Sequence, residues 1–154
     1  MDSKLINPFI DAFTLVMPQL GFQDITRTNV SVKEKNVKSL GVTVLVGITK
    51  QARGNVAYNM PEETAKYIAS MMMCGMPVAS FDEMAQRAIA EMSNMITANA
   101  ATQLTSMDIA VDISTPSVSI GDGFFIKISA EQYLSIEMSL SGHPLEINIF
   151  LIQG

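Results

Sequence analysis

Glu91 and Asn94 are the two side chains whose types and spacing suggest chemistry. A carboxylate attracts a cation and orients it. An asparagine amide both donates and accepts, so it can hold a polar partner without adding a charge. Residues three apart are neighbours on a helix surface, so both groups would project from one face. Spacing alone leaves a plainer alternative open, because Glu-x-x-Asn is common on helices and asparagine is tolerated mid-helix where it faces solvent.

Other chemistries have little to work with. His143 is the single histidine. It lies between Ser141-Gly142 and Pro144 and reads as a turn residue. Multi-histidine or Cys–His zinc sites and serine–histidine relays that do not use it are therefore excluded. Cys74 is the single cysteine, so no internal disulfide can form. Its place in Met71-Met72-Met73-Cys74 reads as a small buried hydrophobe and fits a reducing cytosol. Those methionines, with Met76, read as core filling at a helix end. Asp108, Asp112, Asp122, Glu131 and Glu137 show no calcium-loop spacing, and Gly121-Asp122-Gly123 lacks the strand–loop–helix setting of a phosphate cradle. No metal or cofactor is assigned to the chain itself. Nor is nucleic acid an expected partner. The net charge is −5, and the ten basic residues form no concentrated patch, since Glu34 interrupts Lys33, Lys35 and Lys38.

The elements that must carry this pair follow from apolar periodicity. Leu5, Phe9, Phe13, Val16, Met17 and Leu20 step by three and four, which predicts a helix over 4–20, with Asn7 as a cap and Pro8 in its first turn. Val30 and Val32, then Val42, Val44, Val46 and Ile48, alternate as in half-buried strands. Residues 51–55 read as a hairpin loop and 55–60 as the returning strand. Pro61-Glu62-Glu63-Thr64 opens a helix that Gly75 and Pro77 end. Ser80 with Glu83 matches a capping box, and the longest helix runs from there to about Leu104. Its inner face carries Phe81, Ala85, Ala88, Ile89, Met92 and Ile96. Its outer face carries Glu83, Arg87, Glu91, Asn94, Ala98 and Ala101. Alanine around Glu91 and Asn94 would let another protein come close to the backbone. Strands are expected over 109–113, 117–120, 124–129, 133–140 and 145–152, with turns at 121–123 and 141–144. The expected fold is one α+β domain over 1–154, a mostly antiparallel sheet with helices packed on one face. With 154 residues, 48% of them hydrophobic, the chain can build a sizeable core. Asp2 and Asp11 break any secretory leader, and no run approaches a membrane span, so a soluble, cytoplasmic protein is expected.

The stretch Phe81-Asp82-Glu83-Met84-Ala85-Gln86-Arg87-Ala88-Ile89-Ala90-Glu91-Met92-Ser93-Asn94-Met95 resembles the signature helix of the CheC/CheX family of phosphatases, with Ala-Ile-x-Glu-x-x-Asn-Met at residues 88–95. Ile6-Asn7-Pro8-Phe9-Ile10 is similar to the family's first helix. Val44-Leu45-Val46-Gly47-Ile48-Thr49 with Gly54-Asn55-Val56 resembles its first hairpin, and Thr115-Pro116-Ser117-Val118 the strand after the signature helix. Length and a single Glu-x-x-Asn site resemble CheX more than CheC. The resemblance implies an enzyme, a chemotaxis phosphatase of two-component signalling that docks on a phosphorylated CheY-like response regulator and hydrolyses its aspartyl phosphate. It assigns Asn94 to orienting the attacking water and Glu91 to pairing with the regulator's lysine. Mg²⁺ would belong to the regulator. It also implies a homodimer, joined through an exposed edge among the late strands, where Leu145, Ile147, Ile149 and Leu151 alternate. The other reading is a non-catalytic module that binds a regulator or joins the flagellar switch. Arg87, where relatives often carry Asp or Ser, could pair with Glu91 four residues on. Ser93 stands where relatives often have glycine.

Overall fold

The computed structural model describes residues 3–154; Met1 and Asp2 lie outside the described residues. Three helices and five strands follow one another as α1 (Ser3–Gln19), β1 (Ile25–Lys50), β2 (Ala52–Pro61), α2 (Glu62–Met72), α3 (Glu83–Ser106), β3 (Val111–Ile113), β4 (Ser117–Leu140) and β5 (His143–Gln153). All strand pairings are antiparallel. The order is β2-β5-β4-β1-β3, and β1 also pairs with β2. That extra pairing is possible because β1 and β4 are long enough to meet two neighbours along their length. Residues 41–48 of β1 run beside β2, whereas its first half runs only beside the end of β4.

Alternation along the strands sorts side chains to two faces. Val42, Val44, Val46, Tyr58, Ile147 and Ile149 are fully buried in one large cluster that also takes Phe9 and Phe13 of α1, Ile68 of α2, and Ile89, Met92 and Ile96 of α3. The helices therefore cover this one face, as expected for the fold class. The other face carries a smaller cluster of Val37, Ala57, Ile128 and Tyr133. Beside it lies a buried polar layer. Thr43 donates to Asn59 Oδ1 at 2.9 Å, and Asn59 Nδ2 donates to Glu146 Oε1 at 2.9 Å and to the Lys38 carbonyl at 2.8 Å. Burial and the nearby Glu146 carboxylate both raise the pKa of Tyr133.

Several local expectations give way to tertiary packing. Helix α1 begins before Pro8 rather than at an Asn7 cap, because Leu5 and Ile6 are buried and hold the first turn against the core. The hairpin after β1 is tighter than a loop over 51–55. Ala52 already pairs with Gln153, and Lys50 takes a positive φ at the turn. Gly54 belongs to the strand, where a Cβ would lie 1.8 Å from the Phe150 carbonyl oxygen. Residues 117–140 form one strand, and Gly121-Asp122-Gly123 is not a turn but part of a bulge. There the register steps from Lys38↔Phe125 to Leu40↔Asp122. Glycine marks both devices, and a continuous partner strand selects the bulge. The turn at Ser141-Gly142 does form, with positive φ at both residues as a two-residue hairpin requires. His143 follows it and stacks on Tyr67 at 4.0 Å. Cys74 is exposed rather than buried, because α2 ends at Met72 and the cysteine falls in the closing turn with φ of 59°. Met71, Met72 and Met73 pack against the core, while Met76 is exposed. Among the described residues, no helix is long and apolar enough to cross a membrane.

Candidate functional site

Helix α3 is set in place at its start by Asp82. Its side chain, not that of Ser80, accepts from the Ala85 backbone N–H at 3.0 Å. Aspartate here satisfies an otherwise orphaned donor and complements the positive end of the helix dipole. Ala85, Ile89, Met92, Ile96, Ala100 and Leu104 then form the buried stripe. Of the expected inner residues only Ala88 is half-buried rather than buried. Two polar residues join the stripe. Ser93 donates to the Ile89 carbonyl at 2.9 Å, and Thr97 to the Ser93 carbonyl at 2.7 Å. The Tyr58 hydroxyl lies 2.8 Å from Thr97 Oγ1. Since the Thr97 proton goes to Ser93, Tyr58 is the donor in that contact. Burial raises the Tyr58 pKa strongly, so the phenol stays protonated. The sheet thus grips α3 from below within the stretch that carries Glu91 and Asn94. Ser93 is fully buried, which accounts for a small residue at that position.

On the outer face Glu91 is exposed and Asn94 half-buried, with half-buried Ala90, Ala98 and Ala101 around them. Among the described residues, neither Glu91 nor Asn94 makes a side-chain hydrogen bond or ion pair. Arg87 does not pair with Glu91. It turns the other way and binds Glu83, with Nη2 2.9 Å from Oε1. Arg87, Ala90, Glu91 and Asn94 line one side of an open groove, and residues 113–116 line the other. An exposed carboxylate and an amide with free donor and acceptor capacity are thereby presented to an incoming molecule. Among the described residues, no group of three His, Cys, Asp or Glu could hold a metal ion. A separate apolar groove involves Ile6, Ile10, Val30, Val32 and Leu134, and no residue of α3 lines it.

Sequence reasoning did not place Ser114 and Pro116 beside the pair, nor Tyr58 against Thr97 of the same helix. Strand β3 brings the first two there by pairing with β1 some sixty residues earlier, Ile48↔Ile113. No local pattern signals that contact.

The family model described as "Chemotaxis phosphatase CheX" matches residues 42–139. The chain is 33% identical over 128 residues, 82% of each protein, to the CheY-P phosphatase CheX of Thermotoga maritima. Among solved structures it is similar to the CheX protein in a CheX–CheY–BeF3–Mg²⁺ complex from Borrelia burgdorferi. That likeness has 27% identity and a TM-score of 0.83, covering 96% of this chain and 97% of that one. A CheC-like superfamily protein from Shewanella has 25% identity and a TM-score of 0.88, covering 99% of both chains.

Proposed function

The chain belongs to the CheX family of chemotaxis phosphatases, and from that membership we propose that it docks on a phosphorylated CheY-like response regulator and hastens hydrolysis of its aspartyl phosphate. In the reaction a water oxygen attacks phosphorus, the phosphorus–oxygen bond to the aspartyl group breaks, and the products are a free carboxylate and inorganic phosphate. Such a transfer needs an in-line nucleophile and stabilised charge on the equatorial oxygens. The regulator supplies a lysine and Mg²⁺, which neutralise that charge. Holding the water is left to the phosphatase. The Asn94 amide suits this task, accepting from the water while its N–H₂ contacts a phosphoryl oxygen. Glu91, one turn away, suits an ion pair with the regulator's lysine, which fixes the register of docking.

The observation that carries this reading is the presentation of both side chains, partnerless, from the outer face of a helix whose inner face is locked to the sheet. The test is loss of radiolabelled phosphate from the response regulators of the source genome, each with and without the protein. Asn94→Ala should lose at least about tenfold, and up to about a hundredfold, of the acceleration while keeping most of the affinity. Glu91→Ala should damage both. Asn94→Ala matching wild type would remove the water-holding role. A chain that only sequesters the regulator would bind it and leave the decay unaltered or slower.

The same reading includes a homodimer, with one correction to where its edge lies. Strand β5 is interior, between β2 and β4, so its alternating apolar residues are spent on the core. One free edge is residues 25–34 of β1, which pair on one side only. Val30 and Val32 are 43% and 63% exposed there. An unpaired edge carrying apolar side chains favours strand addition by a second copy.

A further inference from the structure

Opposite α3, the groove is lined by Ile113, the last residue of β3, and by residues 114–116, which join β3 to β4. This wall is stiff. The Gly47 N–H donates to Ser114 Oγ at 2.8 Å, and the Ser114 N–H donates back to the Gly47 carbonyl at 2.9 Å. A Cβ on Gly47 would lie 3.4 Å from Ser114 Oγ, so β1 and the wall meet closely. Pro116 holds the residue before it in extended backbone. Thr115 is exposed at the groove, and among the described residues its hydroxyl has no hydrogen-bond partner.

We propose that residues 114–116 are the second contact surface for the response regulator, with Thr115 binding a main-chain group on the rim of the regulator's phosphorylation pocket and setting affinity. The proposal rests on the phosphatase reading of the same groove. A regulator whose lysine meets Glu91 and whose phosphoryl group meets Asn94 must bring the rim of its pocket into the groove those residues line. Half-buried Ala90, on the groove's helix side, leaves room for it. The rim of such a pocket is built of loops, whose backbone N–H and C=O groups need partners once water is expelled. A threonine hydroxyl can serve either. Because the wall is already ordered, contact with it costs little conformational entropy. It lies across the groove from Asn94, so it acts on binding and leaves the chemical step alone.

The experiment uses the full chain and the regulator that wild type dephosphorylates, measuring turnover on the phosphorylated form and affinity for the beryllofluoride form. Thr115→Arg fills the groove and should raise KM and Kd about tenfold or more, with kcat within about twofold of wild type. Thr115→Val removes only the hydroxyl and should raise Kd about threefold, the size of one ordinary hydrogen bond. Thr115 is exposed, so the circular dichroism and Tm of both variants should match wild type. If Thr115→Arg binds and turns over normally while Asn94→Ala is slow, the second surface is overturned and the phosphatase reading stands. If wild type accelerates no regulator's dephosphorylation, the phosphatase reading fails and takes the second surface with it.

Discussion

Glu83 and Glu91 sit one helical turn on either side of Arg87, and the guanidinium binds the first. That choice leaves the Glu91 carboxylate available to another molecule. Both ends of the pair are largely exposed, so the contact is worth only a few tenths of a kcal/mol. Its importance is in what it prevents. Glu83→Ala releases Arg87 toward Glu91 and should weaken regulator binding about twofold, in line with an exposed helix ion pair. The loss should fade at high salt, and adding Arg87→Ala should restore affinity. Titration calorimetry at two ionic strengths checks this; unchanged or tighter binding by Glu83→Ala would remove the competition. The Glu91–Asn94 pair was legible in the sequence because its spacing and its resemblance are local. Which carboxylate Arg87 takes was not, since two stand at the same separation.

Among the elements, the helices were the most readable, and their ends the least. Periodicity over residues 85–104 separated the buried stripe from the outer face, but the cap fell two residues past Ser80. Phe81 explains the shift. It is buried against the core, and the Asp82 N–H closes a three-residue turn onto the Ser80 carbonyl, so Asp82 is the first residue free to cap. Asp82→Ala should therefore cost about 1 kcal/mol of stability, whereas Ser80→Ala should stay within about 0.5 kcal/mol. Urea denaturation of the two variants distinguishes them, and equal losses would mean that Ser80 shares the cap. Strand boundaries were harder. Gly121 and Gly123 signal a break in pleating, but only the presence of β1 alongside decides that the chain bulges and carries on. Similarly, Tyr58 reads as any strand aromatic until Thr97 is found above its hydroxyl.

At the scale of the molecule, composition and the change of period along the chain gave the class, an antiparallel sheet with helices on one face. Strand order was out of reach, because it depends on contacts such as Ile25↔Leu140 that link the two ends of the chain. The alternation of Leu145, Ile147, Ile149 and Leu151 looks the same on an edge strand as on an interior one, so the interior place of β5 was not legible. With the edge at residues 25–34, Val32→Lys should convert a dimer to a monomer, since an edge lysine opposes strand addition. Light scattering after gel filtration at micromolar concentration reads the result, and a wild-type monomer would rule the dimer out.

The interior position of β5 also bears on how the protein is made. Residues 143–153 are made after the other strands of the sheet, yet they separate β2 from β4 in the finished structure. A nascent chain lacking them can pair β2 and β4 with β1 alone, so the other edges of those two strands stay open, and the β2–β5 pairing that closes one of them is distant in sequence and forms slowly. Both edges then wait, unpaired, until β5 has been made. Stalled chains ending before Leu145 should be cut readily by protease, and released full-length chains should resist. Any cell producing this protein would need to shield those edges during the interval.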